Sequence, residues 1–296
     1  MQKVLGCFQE RLAYSEEPME DLAGEKEVTV LISYPHQTKE RNKVFFKKKD
    51  KELTNEDWSK EGGWFDTDGY FSTWIENKVT GALQLKVGLK LKDKQPVELF
   101  SKTFETALYY QTHKTVTPEP YRYEYIAKEY TAQLMGKKAV WFTKNVYPYL
   151  IKEEKKDYAA KLLGYRPESK DFADWTADEV IHYLATAIEG DGYVRCSLWK
   201  EKSKSLDIEI SSSDVQYLSD IRYIADNKLG VVSTLSERIT YKTQEGIKTK
   251  YGLYILCSRQ RPNNLGFCQS LVKDGVMTLD RKREKIQEYV DYIRKG

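Results

Sequence analysis

Two pairs of carboxylates, each written just before a glycine, are the residues of this chain whose types and spacing could do chemistry. "DTDG" at residues 66–69 places Asp66 and Asp68 before Gly69, and "EGDG" at residues 189–192 places Glu189 and Asp191 before Gly192. Carboxylates with free helix-end carbonyls beside them are hard oxygen donors of the kind Mg²⁺ takes. The last turn of a helix is the negative end of its dipole, so an acid there is disfavoured, and two such ends side by side are worse. A bound divalent cation reverses the sign of that argument. One copy would be an ordinary solvated turn, but two copies, each behind a helix and before a strand-like stretch, point to a site built twice.

The elements that carry these acids can be read backwards from them. Thr54 with Asp57 three positions on, and Thr176 with Glu179 three positions on, are capping-box starts for helices that run to the two acidic exits. Gly69 and Gly192 are expected to be left-handed helix stops. The second helix has an apolar stripe of Val180, Ile181, Leu184, Ala187 and Ile188, whereas the first carries Glu61, Gly62 and Gly63 in its middle. Glycine there costs about 1 kcal/mol relative to alanine. Small residues at matching places, Gly62 and Gly63 in one helix and Ala185 and Ala187 in the other, predict that the two helices pack side by side at close range with their acidic ends together.

Each helix is followed by strands. In "ALQLKVGLKLK", Leu83, Leu85, Val87, Leu89 and Leu91 alternate with Gln84, Lys86, Gly88, Lys90 and Lys92, the pattern of a half-buried strand with a basic outer face. "QPVELFSKTFETALYY" has a helical period, "PYRYEYIAKEYTAQLMG" reads as strand, and two helices close this half. After Gly192 come a strand bearing Arg195 and a strand with Leu206, Ile208 and Ile210 inward. A helix then leads to a hairpin with Ser236, Arg238, Thr240 and Lys242 on one face and Leu235, Ile239 and Tyr241 on the other. The chain is therefore an internal duplication. It divides into an extension at residues 1–53, a first half at 54–165, a linker at 166–175 and a second half at 176–296. The predicted fold class is α+β, with two pseudo-symmetric halves, each an antiparallel sheet backed by helices, joined through the two acidic helices. The polar outer faces, with Gln84, Lys86, Lys90, Lys92, Arg195, Ser236, Arg238, Thr240 and Lys242, suit phosphates and base edges of duplex DNA. Solvent-facing strand residues are also polar where they bind nothing.

Composition limits the alternatives. The 296 residues carry 48 Lys+Arg against 45 Asp+Glu, a net charge of +3, with 13% aromatics, too many for a disordered chain. So mild a positive balance permits a nucleic-acid partner without demanding one. Cys7, Cys196, Cys257 and Cys268 are scattered, so neither zinc nor a disulfide framework is expected, and a reducing compartment is. No apolar run of about 18 residues is present for a membrane. With no secretion signal in the first residues, an intracellular protein is expected, in an organelle, a bacterium or a cell hosting a virus or phage. His36, His113 and His182 have no partners at ligand spacing and read as structural. "NKVFFKKKDK" at residues 42–51 is either a phosphate-binding arm or a solvated loop.

"EGGWFDTDG" at 61–69 and "LATAIEGDG" at 184–192 resemble the nine-residue signature of the LAGLIDADG homing endonucleases, in the monomeric form with two motifs. The likeness extends over residues 54–296 and includes the αββαββα order of each half, with its saddle-shaped sheet, and a Pro-Tyr-Leu turn at Pro148–Leu150. It implies a double-strand DNA endonuclease that leaves short 3′ overhangs at a target of about 20 bp, one helical turn per half. It implies two or three Mg²⁺ ions, replaceable by Mn²⁺ or, for binding, Ca²⁺, held by Asp68 and Asp191 with help from the carbonyls of Thr67 and Gly190. It also implies one basic residue per half at the reacting centre. Lys152 is the candidate in the first half, and Lys282 or its neighbour Arg281 in the second. Asp66 and Glu189 take the motif's earlier acidic position and read as supporting rather than metal-holding. Glu61 and Trp64 depart from the motif's usual small or apolar residues. A non-cleaving member of the same fold, an RNA maturase acting on its own intron or a DNA-binding regulator, is the competing reading.

Overall fold

The computed structural model describes residues 26–34, 37–45, 52–77, 82–116, 124–199, 203–243 and 246–295. An N-terminal hairpin, β1 (Lys26–Tyr34) and β2 (Gln37–Phe45), precedes the first half. That half runs α1 (Asn55–Thr67), β3 (Gly69–Asn77), β4 (Ala82–Leu91), α2 (Lys94–Thr103), β5 (Leu108–Val116), β6 (Glu124–Met135), α3 (Gly136–Val146), a 3-10 turn at Tyr147–Tyr149 and α4 (Glu153–Leu163). The second half runs α5 (Ala177–Asp191), β7 (Gly192–Trp199), β8 (Ser203–Ser212), α6 (Val215–Leu229), β9 (Thr234–Thr243), β10 (Gly246–Cys257), α7 (Pro262–Leu271) and α8 (Asp280–Lys295). One sheet has the order β1-β2-β5-β6-β4-β3 and the other β7-β8-β10-β9. Read from the strand after each acidic helix, both contain the same four-strand order, and the hairpin adds two strands to the β5 edge of the first. Its register sets Lys43 opposite Tyr109 and Val44 opposite Leu108. Residues 46–51, the rest of the basic run, lie outside the described residues.

Alternation along the strands produces the two cores. Val87, Leu89, Leu108, Ala132 and Leu134 face inward in the first sheet, and Leu206, Ile208, Ile210, Leu253 and Ile255 in the second, all buried. The first core is closed by aromatics: the Phe65 and Phe142 rings are 4.7 Å apart, as are those of Phe100 and Phe104. Trp64, which departs from the motif, is buried among these elements. Both capping boxes form, Thr54 with Asp57 and Thr176 with Glu179.

Five expectations are corrected. The helix read over residues 95–110 stops at Thr103, and Leu108 begins a strand. The Thr106 hydroxyl, 2.5 Å from the Gln133 carbonyl, fixes the turn between them. Gly69 and Gly192 are not left-handed stops, since Gly192 is extended (φ −95°) and neither is among the residues of positive φ. They are glycine because the strand folds back over the last helical turn. A Cβ on Gly69 would lie 2.5 Å from Phe65 Cα, and one on Gly192 2.4 Å from the Ile188 carbonyl. Gly62 packs on the Tyr149 backbone rather than on α5, while Gly63 meets α5 as expected. Ile239 is exposed instead of inward, because β9 bulges. Lys250 pairs with Ile239 and Tyr251 with Glu237, leaving Arg238 unpaired in the ladder and breaking the alternation there. Finally, Cys257 and Cys268 meet sulfur to sulfur as a disulfide in the core between β10 and α7; Cys196 is free.

Gly63→Ala should cost about 1–3 kcal/mol in urea unfolding, because the new Cβ would stand 2.2 Å from Thr186 Oγ1 and 2.5 Å from the Tyr183 carbonyl. Gly266→Ala, where a Cβ meets nothing within 4 Å, should not destabilise. A second test concerns Glu61. Burial pushes its carboxyl from 4.5 up to about 8, with Lys60 pulling down and Asp57 pushing up. A folded-state value above the unfolded one means that this stabilisation is fully present below about 4.5 and is lost as the pH rises through about 8. Glu61→Gln should therefore flatten the fall of the urea midpoint across that window and raise stability at its alkaline end.

Candidate active site

The site lies where α1 and α5 end together. The helices approach so closely that Gly63 sits against Thr186 and the Tyr183 carbonyl, and the Thr186 hydroxyl donates 2.9 Å to the Lys60 carbonyl. One turn on, Gly190 lies against the other helix's end: a Cβ there would be 2.3 Å from Thr67 Oγ1 and 2.6 Å from Asp68 Oδ2. Asp68 caps α1 and Asp191 is the last residue of α5, so the close packing brings the two acids to one place. Burial, then the neighbouring Asp191 carboxylate, push Asp68 from 3.8 up to about 6. Its Oδ2 is buried without a hydrogen-bond partner among the described residues. A buried carboxylate oxygen without a donor is costly unless something cationic meets it.

The earlier acids do different work. Asp66 is fully buried and accepts from the backbone N–H of Ile151 (2.6 Å) and Lys152 (3.2 Å) and from the Tyr183 hydroxyl (2.5 Å). Glu189 accepts from the backbone N–H of Thr278 and, at 2.5 Å, of Leu279. Each therefore grips the chain at the entry to its half's last helix, α4 or α8. A helix N-terminus offers unsatisfied N–H groups and positive potential, so a carboxylate is well placed there. Desolvation still raises both, Asp66 to about 6 and Glu189 to about 7, against the lowering effect of these hydrogen bonds.

These grips define which basic residues correspond. Ile151 and Lys152 match Thr278 and Leu279, so Lys155 matches Lys282. Lys282 Nζ donates to the carbonyls of Ile188 (2.7 Å), Glu189 (2.6 Å) and Gly192 (2.7 Å), and Lys155 Nζ to that of Gly69 at 2.5 Å. Burial, then Arg281, bring Lys282 down to about 8, and burial, then Lys152, lower Lys155. Of the two candidates in the second half, Lys282 is bonded into the end of α5, whereas Arg281 is exposed, pairs with Asp93 at 2.8 Å and lines the same hollow as Asp68 and Gly190. Lys155 was missed in the sequence; aligning "IKEEK" with "TLDRK" from the two gripped segments would have found it. Lys152 also reaches the centre, across the joint, with Nζ 3.3 Å from Asp191 Oδ2.

The outer sheet faces carry some of the expected polar residues. Lys90, Lys92, Arg195, Ser236 and Arg238 are exposed, and Lys86 is half-buried. Acids interleave with them: Lys90 pairs with Glu129 (2.9 Å), Arg195 with Asp207 (3.5 Å) and Arg238 with Glu209 (3.0 Å). The second sheet's face is a hollow lined by Tyr193, Arg195, Asp207, Glu209, Arg238 and Tyr254. Gln84, Thr240 and Lys242 lie on β4 and β9, and their side chains are outside the described ones.

Among the described residues no group of three or more His, Cys, Asp or Glu could enclose a metal. Asp68 and Asp191 instead form an open donor pair with one orphaned buried oxygen. That fits Mg²⁺, which keeps several waters and is held by one or two carboxylates plus substrate phosphates.

Residues 178–262 match the family model of a LAGLIDADG-like domain. No curated protein matches the chain. Among solved structures it is similar to I-AabMI bound to uncleaved DNA (9% identity, TM-score 0.47, covering 82% of this chain and 92% of that one). It is also similar to I-LtrWI bound to target DNA (14%, 0.44, 82% and 91%) and to I-DmoI with DNA and Ca (13%, 0.42, 79% and 98%). The matched stretch contains nearly all of α5 and the whole of its sheet, and the first half repeats that arrangement around α1, so the chain resembles a LAGLIDADG-like domain written twice.

Proposed function

We propose that the protein is a site-specific endonuclease that hydrolyses one phosphodiester on each strand of duplex DNA with divalent cations, Mg²⁺ by preference. The observation that carries this reading is the meeting of Asp68 and Asp191 at the joined ends of α1 and α5, with one buried oxygen unpartnered and a lysine of each half, Lys155 or Lys282, fixed at its helix end. Asp68 and Asp191 would hold the cations, which when bound stabilise the attacking and leaving oxygens of an in-line displacement at phosphorus. The chain's own groups supply the rest. Asp66 and Glu189 hold the lysines in place through the helix entries, and each ammonium presents positive charge to a phosphate that gains charge as water adds and the ester oxygen departs. The sheet faces beside the joint would track the duplex, one turn per half, for a target of about 20 bp. Two acids, one for each strand, serve a monomer that makes staggered cuts with short 3′ overhangs; an intron home follows from the same reading.

A plasmid library of candidate insertion sites, incubated with Mg²⁺, tests it. Asp68→Asn and Asp191→Asn should each lower double-strand cleavage by about a hundredfold or more while leaving duplex binding in Ca²⁺ intact. Persistent double-strand cutting by either variant would remove the two-acid assignment, and binding without any cleavage by the unaltered chain would favour a maturase or regulator. Arg238→Ala should flatten the dependence of log K on log salt by about one unit if it contacts a phosphate; an unchanged slope removes Arg238 from the interface.

A further inference from the structure

The two halves of the centre differ in charge at one gripped position. Asp66 holds Lys152 by its backbone N–H and Glu189 holds Leu279 in the same way, so a lysine in one half stands where the other has leucine. Lys152 is largely enclosed, with a side chain 13% exposed and Nζ 4.4 Å above the Tyr217 ring, and its ammonium ends 3.3 Å from Asp191 Oδ2. Leu279 is buried and brings no charge to Asp68. Lys155 and Lys282 are close enough to act on Asp68 electrostatically, but their ammonium groups are bonded to backbone carbonyls, and the Thr67 hydroxyl beside Asp68 brings no charge. Asp191 thus has a built-in counter-ion and Asp68 does not.

We infer that Lys152 makes the two cation positions unequal: it occupies Asp191 as an ammonium that a divalent cation must displace, so cations fill the Asp68 side first. The inference rests on the metal-dependent reading above. Displacement is feasible because a partly exposed ion pair is worth little, yet its loss opposes cation binding at that carboxylate alone. The asymmetry orders the two half-reactions, with the strand served by Asp68 ready at a lower cation concentration than its partner.

Calorimetric titration of the full chain with Ca²⁺, without DNA, tests this apart from cleavage. The wild-type chain should show a tighter and a weaker site. Lys152→Met should tighten the weaker one by roughly fivefold, the size of one partly screened pair, and leave the tighter one within about twofold; Lys152→Gln, which keeps a polar neighbour, should do the same. Asp191→Asn should abolish the weaker site in both backgrounds. Unchanged affinities in both Lys152 variants, or a shift in the tighter site instead, would overturn the inference. If neither Asp68→Asn nor Asp191→Asn alters Ca²⁺ binding, it is the metal-dependent reading that fails.

Discussion

The close approach of α1 and α5 is the constraint on which the rest depends. Backbone meets backbone at Gly63 and again at Gly190, and the Thr186 hydroxyl crosses the gap to the Lys60 carbonyl. A helix pair separated by ordinary side chains stands 8–10 Å apart between axes. Removing the side chains at the crossing lets the helices come closer and makes their ends converge. Only then do Asp68 and Asp191 come near enough for Asp191 to raise Asp68. Gly63, which weakens α1 as an isolated helix, is also what makes it one wall of a shared site.

Convergence alone would leave four acids repelling one another at two negative helix ends. The structure resolves this by giving the two members of each pair different neighbours. Asp66 and Glu189 satisfy the N–H groups at the entries to α4 and α8, where negative charge is favourable, and Asp66 also accepts the Tyr183 hydroxyl from α5. Lys155 and Lys282, four residues beyond those entries in register with each other, return to the carbonyls at the ends of β3 and β7 or of α5. One acid in each motif thus positions the helix that brings back a cation, and the other is left facing the joint.

Much of this arrangement is legible in the sequence because it depends on local rules. The capping boxes at Thr54 and Thr176, the alternation of Leu206, Ile208 and Ile210, and the repeated acidic exit are all statements about neighbours within one element, and each holds. What could not be read depends on contacts between elements. Gly69 and Gly192 look like left-handed stops until the returning strand is seen to press on Phe65 and Ile188. Ile239 belongs inward until the bulge at Arg238 shifts the register. Lys155 stayed hidden because two glutamates precede it and Lys152 is nearer the Pro-Tyr-Leu turn. Only the matching grips of Asp66 and Glu189 show which lysine corresponds to Lys282.

Duplication explains the symmetry, and the departures from it are as physical as the rule. The second half encloses an aliphatic helix stripe under a four-stranded sheet, whereas the first fills its core with phenylalanines, buries Glu61 in the shared helix and carries two additional strands on its β5 edge. A duplex is itself nearly symmetric in its backbone but not in its base sequence. If the chain acts on a duplex as proposed, its two halves can diverge on the outer faces while the inner ends stay matched, because each inner end would then meet the same kind of phosphate. Divergence should be greatest on the sheets and least at the joint. Both gripped positions differ between the halves, Ile151 against Thr278 and Lys152 against Leu279, but only the second changes the charge, and it does so at the joint itself, beside Asp191.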